Sequence, residues 1–255
     1  MSSNHHKRDA MRSIAIYSLK GGVGKTTLAV SLAWASAMQS SRRTLLWDLD
    51  PQAAASFLLR VSSAGKQAQA VFAHDVDPAK LVRPTGIDRL DLLPADSSLR
   101  GLDRLLFGLG KKKRLLKLIE DVGRDYDRVL LDSPPGLTET SEQVLRAADL
   151  VLVPLIPSPL SRRALDEIVS HLDRHQLRRG PILPVFNMVD RRRLLHRAAI
   201  EAEPDWPVVP MASAFETMSA SPGDLRLGNA TPAGTAIASL WRGIEKRLAR
   251  LAKSG

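Results

Sequence analysis

Apolar residues recur along this chain with two different rhythms, and their alternation predicts most of the fold. Short, nearly continuous apolar runs at 13–18, 44–47, 90–94, 128–131, 150–155, 182–190 and 208–210 read as strands, several of them buried on both faces. Between them, 28–38, 57–61, 99–109, 111–122, 160–171 and 235–252 read as helices. Strands and helices taken in turn argue for a doubly wound α/β domain, a mostly parallel sheet with helices on both faces. We expect one such domain at 12–255, after a polar, basic and disordered tail at 1–11.

The first strand runs into Lys20-Gly21-Gly22-Val23-Gly24-Lys25-Thr26-Thr27 and then into a helix. A strand, a glycine-rich turn and a helix N-terminus aim backbone N–H groups and the positive end of the helix dipole at one point, which suits a polyphosphate. Glycine lets the main chain approach the anion closely. Lys25 is then the point charge on the β and γ phosphates, and the Thr26 hydroxyl a magnesium ligand. The usual phosphate-loop pattern wants its first glycine where Leu19 stands, and a second lysine, Lys20, opens the loop instead.

That variant loop closely resembles the one in the ParA/MinD family of ATPases. The resemblance implies that Lys20 reaches across a dimer interface to the nucleotide held by the other subunit. Asp48-Leu49-Asp50-Pro51-Gln52 resembles the family's D-x-D-P-Q signature, which implies that Asp48 sits in the magnesium water shell and that Asp50 positions the attacking water. Many members continue with Gly-Asn where this chain has Ala53-Ala54, so contacts of that Asn are not carried over. Asp132 ends an apolar strand and supplies the second carboxylate near magnesium, and Pro134-Pro135-Gly136 makes a stiff turn that responds to the γ phosphate. By the same resemblance Asn187 faces the adenine; Pro210 ends the last strand, and Met211 opens the loop at 211–213 that is expected to close over the base.

Composition narrows the partners. The net charge of +10 favours a polyanion, nucleic acid or an anionic membrane surface. Only 4% of residues are aromatic, which favours backbone phosphate contact with duplex DNA over base stacking. Arg191, Arg192, Arg193 and Arg197 form the strongest basic cluster, with Arg226, Arg242, Lys246, Arg247 and Arg250 behind them. Lys111-Lys112-Lys113-Arg114 reads as a solvated helix start. With no cysteine, disulfides, thiolate metal sites and the cluster-bearing nitrogenase relatives of this loop are excluded. No apolar run approaches the length of a membrane span, so a cytoplasmic, nucleoid-associated protein is expected.

The expected function is a ParA-like ATPase of the short type, without a helix-turn-helix domain. It uses ATP and magnesium to form a homodimer, binds duplex DNA non-specifically, and hydrolyses ATP slowly under a ParB-like or adaptor partner, moving DNA or cargo. The alternative is a MinD-like ATPase that binds anionic membrane through the basic amphipathic helix at 235–252. Packing of that helix on the sheet is preferred. A tyrosine-kinase reading wants a tyrosine-rich tail, and only Tyr17 and Tyr126 exist.

Overall fold

A computed structural model describes residues 11–63, 65–110, 113–177, 180–223 and 231–254. Its strands are β1 (Arg12–Ile16), β2 (Thr44–Asp48), β3 (Arg83–Pro84), β4 (Leu90–Leu93), β5 (Arg128–Asp132), β6 (Leu150–Leu155), β7 (Ile182–Val189) and β8 (Val208–Pro210). The helices are α1 (Lys25–Ser40), α2 (Ala54–Leu58), α3 (Ala70–Ala73), α4 (Pro78–Leu81), α5 (Leu102–Leu109), α6 (Arg114–Val122), α7 (Glu139–Ala147), α8 (Pro159–Arg174), α9 (Leu194–Ala202), α10 (Ser213–Ala220) and α11 (Pro232–Ser254). One sheet carries the order β3-β4-β2-β5-β1-β6-β7-β8. Among the described residues only the β3–β4 pair is antiparallel.

The strand period of two divides the core into two layers. Ile14, Ile16, Leu46 and Leu130 point to the layer holding α1, α2, α10 and α11. Ala15, Tyr17, Leu45, Trp47, Val129 and Leu131 point to the layer holding α3 to α8. Both faces of the central strands are therefore apolar, which is why these runs carry no polar alternation. β1 lies between β5 and β6, where the winding reverses, so a crevice opens at the C-terminal ends of these strands.

α11 closes one layer. Ile237, Leu240, Trp241, Ile244 and Leu248 are buried, and their transfer from water contributes on the order of 10 kcal/mol before ordering entropy is subtracted. The Trp241 indole N–H donates to Ser40 Oγ at 2.8 Å. Glu245 accepts both Nε and Nη2 of Arg128 at 2.8 Å. The apolar face of this helix is spent on the sheet, as expected from the preferred reading.

Other boundaries differ from expectation. Met11 packs on the core beside Gly123, so it belongs to the domain, while the rest of the tail lies outside the described residues. The helix read at 57–61 is α2, shifted toward the N-terminus. Arg114 is not part of a solvated face. It is 3% exposed and donates to the Phe72 and Val71 carbonyls at 2.8 and 2.9 Å, tying α6 to α3. Lys111 and Lys112 lie outside the described residues.

Candidate active site

β1 delivers the chain to the crevice through buried Tyr17 and Ser18. Lys20, Gly21 and Gly22 are exposed, whereas Lys25 is 7% exposed at the first turn of α1. Burial lowers the Lys25 pKa, and Asp132 and Asp50 oppose that effect. The first helical bond runs from Leu28 N to Gly24 O at 3.0 Å. The N–H groups of Lys25, Thr26 and Thr27 ahead of it have no acceptor among the described residues, so they remain available to an anion. Gly24 is required twice over: its φ is +80°, and an added Cβ would meet Asn187 Nδ2 at 2.6 Å.

The two carboxylates at the ends of β2 and β5 are register partners, Asp48 beside Asp132, and both are fully buried. Asp48 is held by three donors: Ser56 N at 3.0 Å and Ser56 Oγ at 2.8 Å on Oδ2, and Asp50 N at 3.2 Å on Oδ1. Burial nevertheless pushes its pKa up to about 6. Neither oxygen of Asp132 has a hydrogen-bond partner among the described residues. Burial, and then the neighbouring Asp48, raise its pKa well above the carboxylate range, with Thr26 and Lys25 acting in the opposite sense. A buried carboxylate with unused lone pairs, beside a second carboxylate and a threonine hydroxyl, is a donor set of hard oxygens that fits magnesium. Asp50 uses Oδ1 to accept Gln52 N at 2.9 Å, an Asx turn that fixes its side chain at the mouth of the crevice.

A cavity of about 220 Å³ adjoins the loop, lined by Gly24, Thr27, Asn187, Pro210, Met211 and Glu216 among others. Asn187 is buried and donates Nδ2–H to Val23 O at 2.8 Å. One of its amide hydrogens is thus committed to the phosphate loop, and the donor-plus-acceptor reading of its side chain is narrowed to the remaining hydrogen and Oδ1. Met188 next to it has φ +56°, and the β7–β8 register shifts between Phe186 and Val189. This bulge directs the strand end toward the loop.

A family model described as an AAA domain matches residues 11–184. Sporulation initiation inhibitor protein Soj of Bacillus subtilis is 31% identical over 199 residues, covering 74% of this chain and 77% of that protein. The chain belongs to the ParA/MinD family of P-loop ATPases. Chromosome-partitioning ATPase Soj of Thermus thermophilus is 34% identical over 80% of this chain and 82% of its own length. Among solved structures, a variant of McdA of Cyanothece in complex with ATP superposes with a TM-score of 0.77 at 24% identity, over 94% of this chain and 96% of that one. Cobyrinic acid a,c-diamide synthase of Mycobacterium smegmatis, with bound ATP analog and magnesium, gives 0.76 at 26% identity, over 93% and 95%. As a ParA/MinD-family member this chain is an ATP hydrolase.

The remaining candidates of this ParA/MinD-family chain divide. Arg191, Arg193 and Arg197 are exposed near the start of α9. Arg192 is exposed but engaged, with Nε and Nη2 both on the Asp190 carboxylate at 2.9 Å, which holds the Asp190 pKa down to about 2. Arg242, Lys246, Arg247 and Arg250 line the outer face of α11, far along the chain from the α9 cluster. Arg226 lies outside the described residues. Sequence reasoning missed Ser56, whose two bonds hold Asp48, and Glu216 and Phe215, which α10 brings to the cavity. A serine eight residues after an Asp carries no signal of its own. Glu216 was in principle legible, since it opens a helix directly after the last strand.

Proposed function

We propose that this chain is a ParA-like switch that dimerises around two ATP molecules and grips duplex DNA without reading its sequence. The observation that carries the reading is the convergence of free helix N–H groups, buried Lys25 and the unpartnered Asp132 carboxylate on one crevice. Gly21, Gly22, Val23, Gly24, Thr26 and Thr27 cradle the phosphates, and Lys25 neutralises the β and γ oxygens. Thr26, Asp48 and Asp132 are the oxygen donors that would hold magnesium. That ion supplies charge neutralisation on the phosphate oxygens.

Asp50 orients the attacking water, and exposed Lys20 completes the partner's site. Asn187, Pro210 and Met211 bound the base cavity. Arg191, Arg193, Arg197 and the basic face of α11 are proposed to contact DNA backbone, with Arg192 contributing less because Asp190 already holds it. A ParB-like or adaptor protein stimulates hydrolysis, and the cycle moves DNA or cargo over the nucleoid in the cytoplasm.

The membrane-binding alternative draws no support from α11, whose apolar side is buried against the sheet. Among the described residues no helix is long and apolar enough to cross a membrane. A gel-shift titration with a random-sequence duplex tests the reading: retardation is expected with magnesium-ATP, and weak or none with ADP or no nucleotide. Equal retardation in all three conditions would overturn it.

A further inference from the structure

Tyr17 is fully buried, and a phenylalanine would fill the same space, so its hydroxyl needs a separate reason. That hydroxyl donates to the carbonyl of Gly136 at 3.3 Å. The N–H of the same glycine donates to Ser18 O at 3.2 Å. Ser18 Oγ in turn donates to Lys20 O at 2.6 Å. Pro134 and Pro135 stiffen the turn, and Gly136 closes it at φ +91°. The turn is therefore joined to the backbone of Lys20 through Gly136 N–H, Ser18 O and Ser18 Oγ, and the Tyr17 hydroxyl seats the same glycine from its carbonyl side.

We propose that the Tyr17 hydroxyl is a positioning group that couples the Pro134-Pro135-Gly136 turn to the backbone of Lys20. The inference rests on the switch reading above, in which the turn senses the third phosphate and Lys20 serves the partner's site. Burial, followed by the Glu142 and Glu167 carboxylates, pushes the phenol pKa up, so the oxygen stays protonated and donating throughout the working pH range.

The test is Tyr17→Phe in the full chain, followed by steady-state ATPase kinetics and by hydrogen exchange of the segment 19–22. In the unaltered protein, magnesium-ATP is expected to slow exchange of that segment more than magnesium-ADP does. In Tyr17→Phe the difference should vanish, with kcat lowered about fivefold and KM within about twofold, the scale of one neutral hydrogen bond. Should Tyr17→Phe fold poorly, Ser18→Ala removes the bond from Ser18 Oγ to Lys20 O and should show the same kcat-against-KM split. An exchange difference that survives in the folded variant, or no difference in the unaltered protein, overturns the proposal. Lys20→Ala run in parallel separates the two layers: normal turnover there defeats the switch reading, while exchange of 19–22 still reports on the coupling.

Discussion

Replacing Asp132 with asparagine should stabilise the protein without nucleotide while abolishing its magnesium-dependent reaction. The carboxylate is fully buried with neither oxygen in a full hydrogen bond, and the Thr26 hydroxyl is the side-chain donor that lowers its pKa; Asp132→Asn removes the charge and keeps an oxygen for that hydroxyl. Its register partner is Asp48, and neighbouring strands lie about 4.8 Å apart. At an effective dielectric constant of about 20, two unit charges at that separation repel by about 3 kcal/mol. The rise of the Asp132 pKa, caused first by burial and then by Asp48, has the same sign. Loss of the attraction to Lys25 offsets part of the gain, leaving a net stabilisation of about 1–2 kcal/mol.

For a chain of this length such a gain raises the melting temperature by about 3–6 °C. The sign with pH follows from the direction of the shifts. Asp132, whose folded pKa exceeds its unfolded value, penalises the folded state increasingly as pH rises above the ordinary carboxylate value of 3.8. Melting curves of both proteins at pH 7.5 and 4.5 check this. The variant should melt higher at pH 7.5, by a margin that shrinks toward pH 4. Magnesium-ATP should raise the melting temperature of the unaltered protein more than that of the variant. A lower melting temperature for the variant at pH 7.5, or a margin that does not shrink with falling pH, would refute the reasoning.

Three further outcomes are expected. Gly24→Ala places a Cβ on Asn187 Nδ2 in a left-handed conformation, costing about 1–2 kcal/mol of strain, and should weaken ATP binding at least tenfold by titration calorimetry. Glu245→Gln leaves Arg128, only 4% exposed, without its carboxylate; a loss of about 3 kcal/mol is expected in denaturant melts, with ATP affinity unchanged because the pair sits at the opposite end of β5 from Asp132. Changing Arg191, Arg193 and Arg197 together to alanine should lower the slope of log affinity against log salt by about 2–3 in DNA titrations, whereas Arg192→Ala should shift it by less than about one.

The strands were legible because burial on both faces leaves unbroken apolar runs, as at Val129-Leu130-Leu131. Phosphate loop and Asp pair were legible because their chemistry is local in sequence. What stayed hidden depends on distant partners. Nothing near Arg114 announces that its guanidinium is absorbed by the Val71 and Phe72 carbonyls, and nothing near Arg128 points to Glu245, 117 positions away. Charge also misleads when a local acid is overlooked: Asp190 lies just before the arginine run, yet the sequence does not say which arginine it takes. Asn187 was found through its place at a strand end, but its bond to Val23 O depends on a bulge that no periodicity reveals.

Two chains closing around shared nucleotides underlie every step of the proposed cycle. Sedimentation velocity of Asp50→Ala, saturated with magnesium-ATP, measures that directly. A boundary at twice the chain mass of 27.9 kDa, reverting to single mass with ADP, is the predicted result. Single chains in both nucleotides would contradict it.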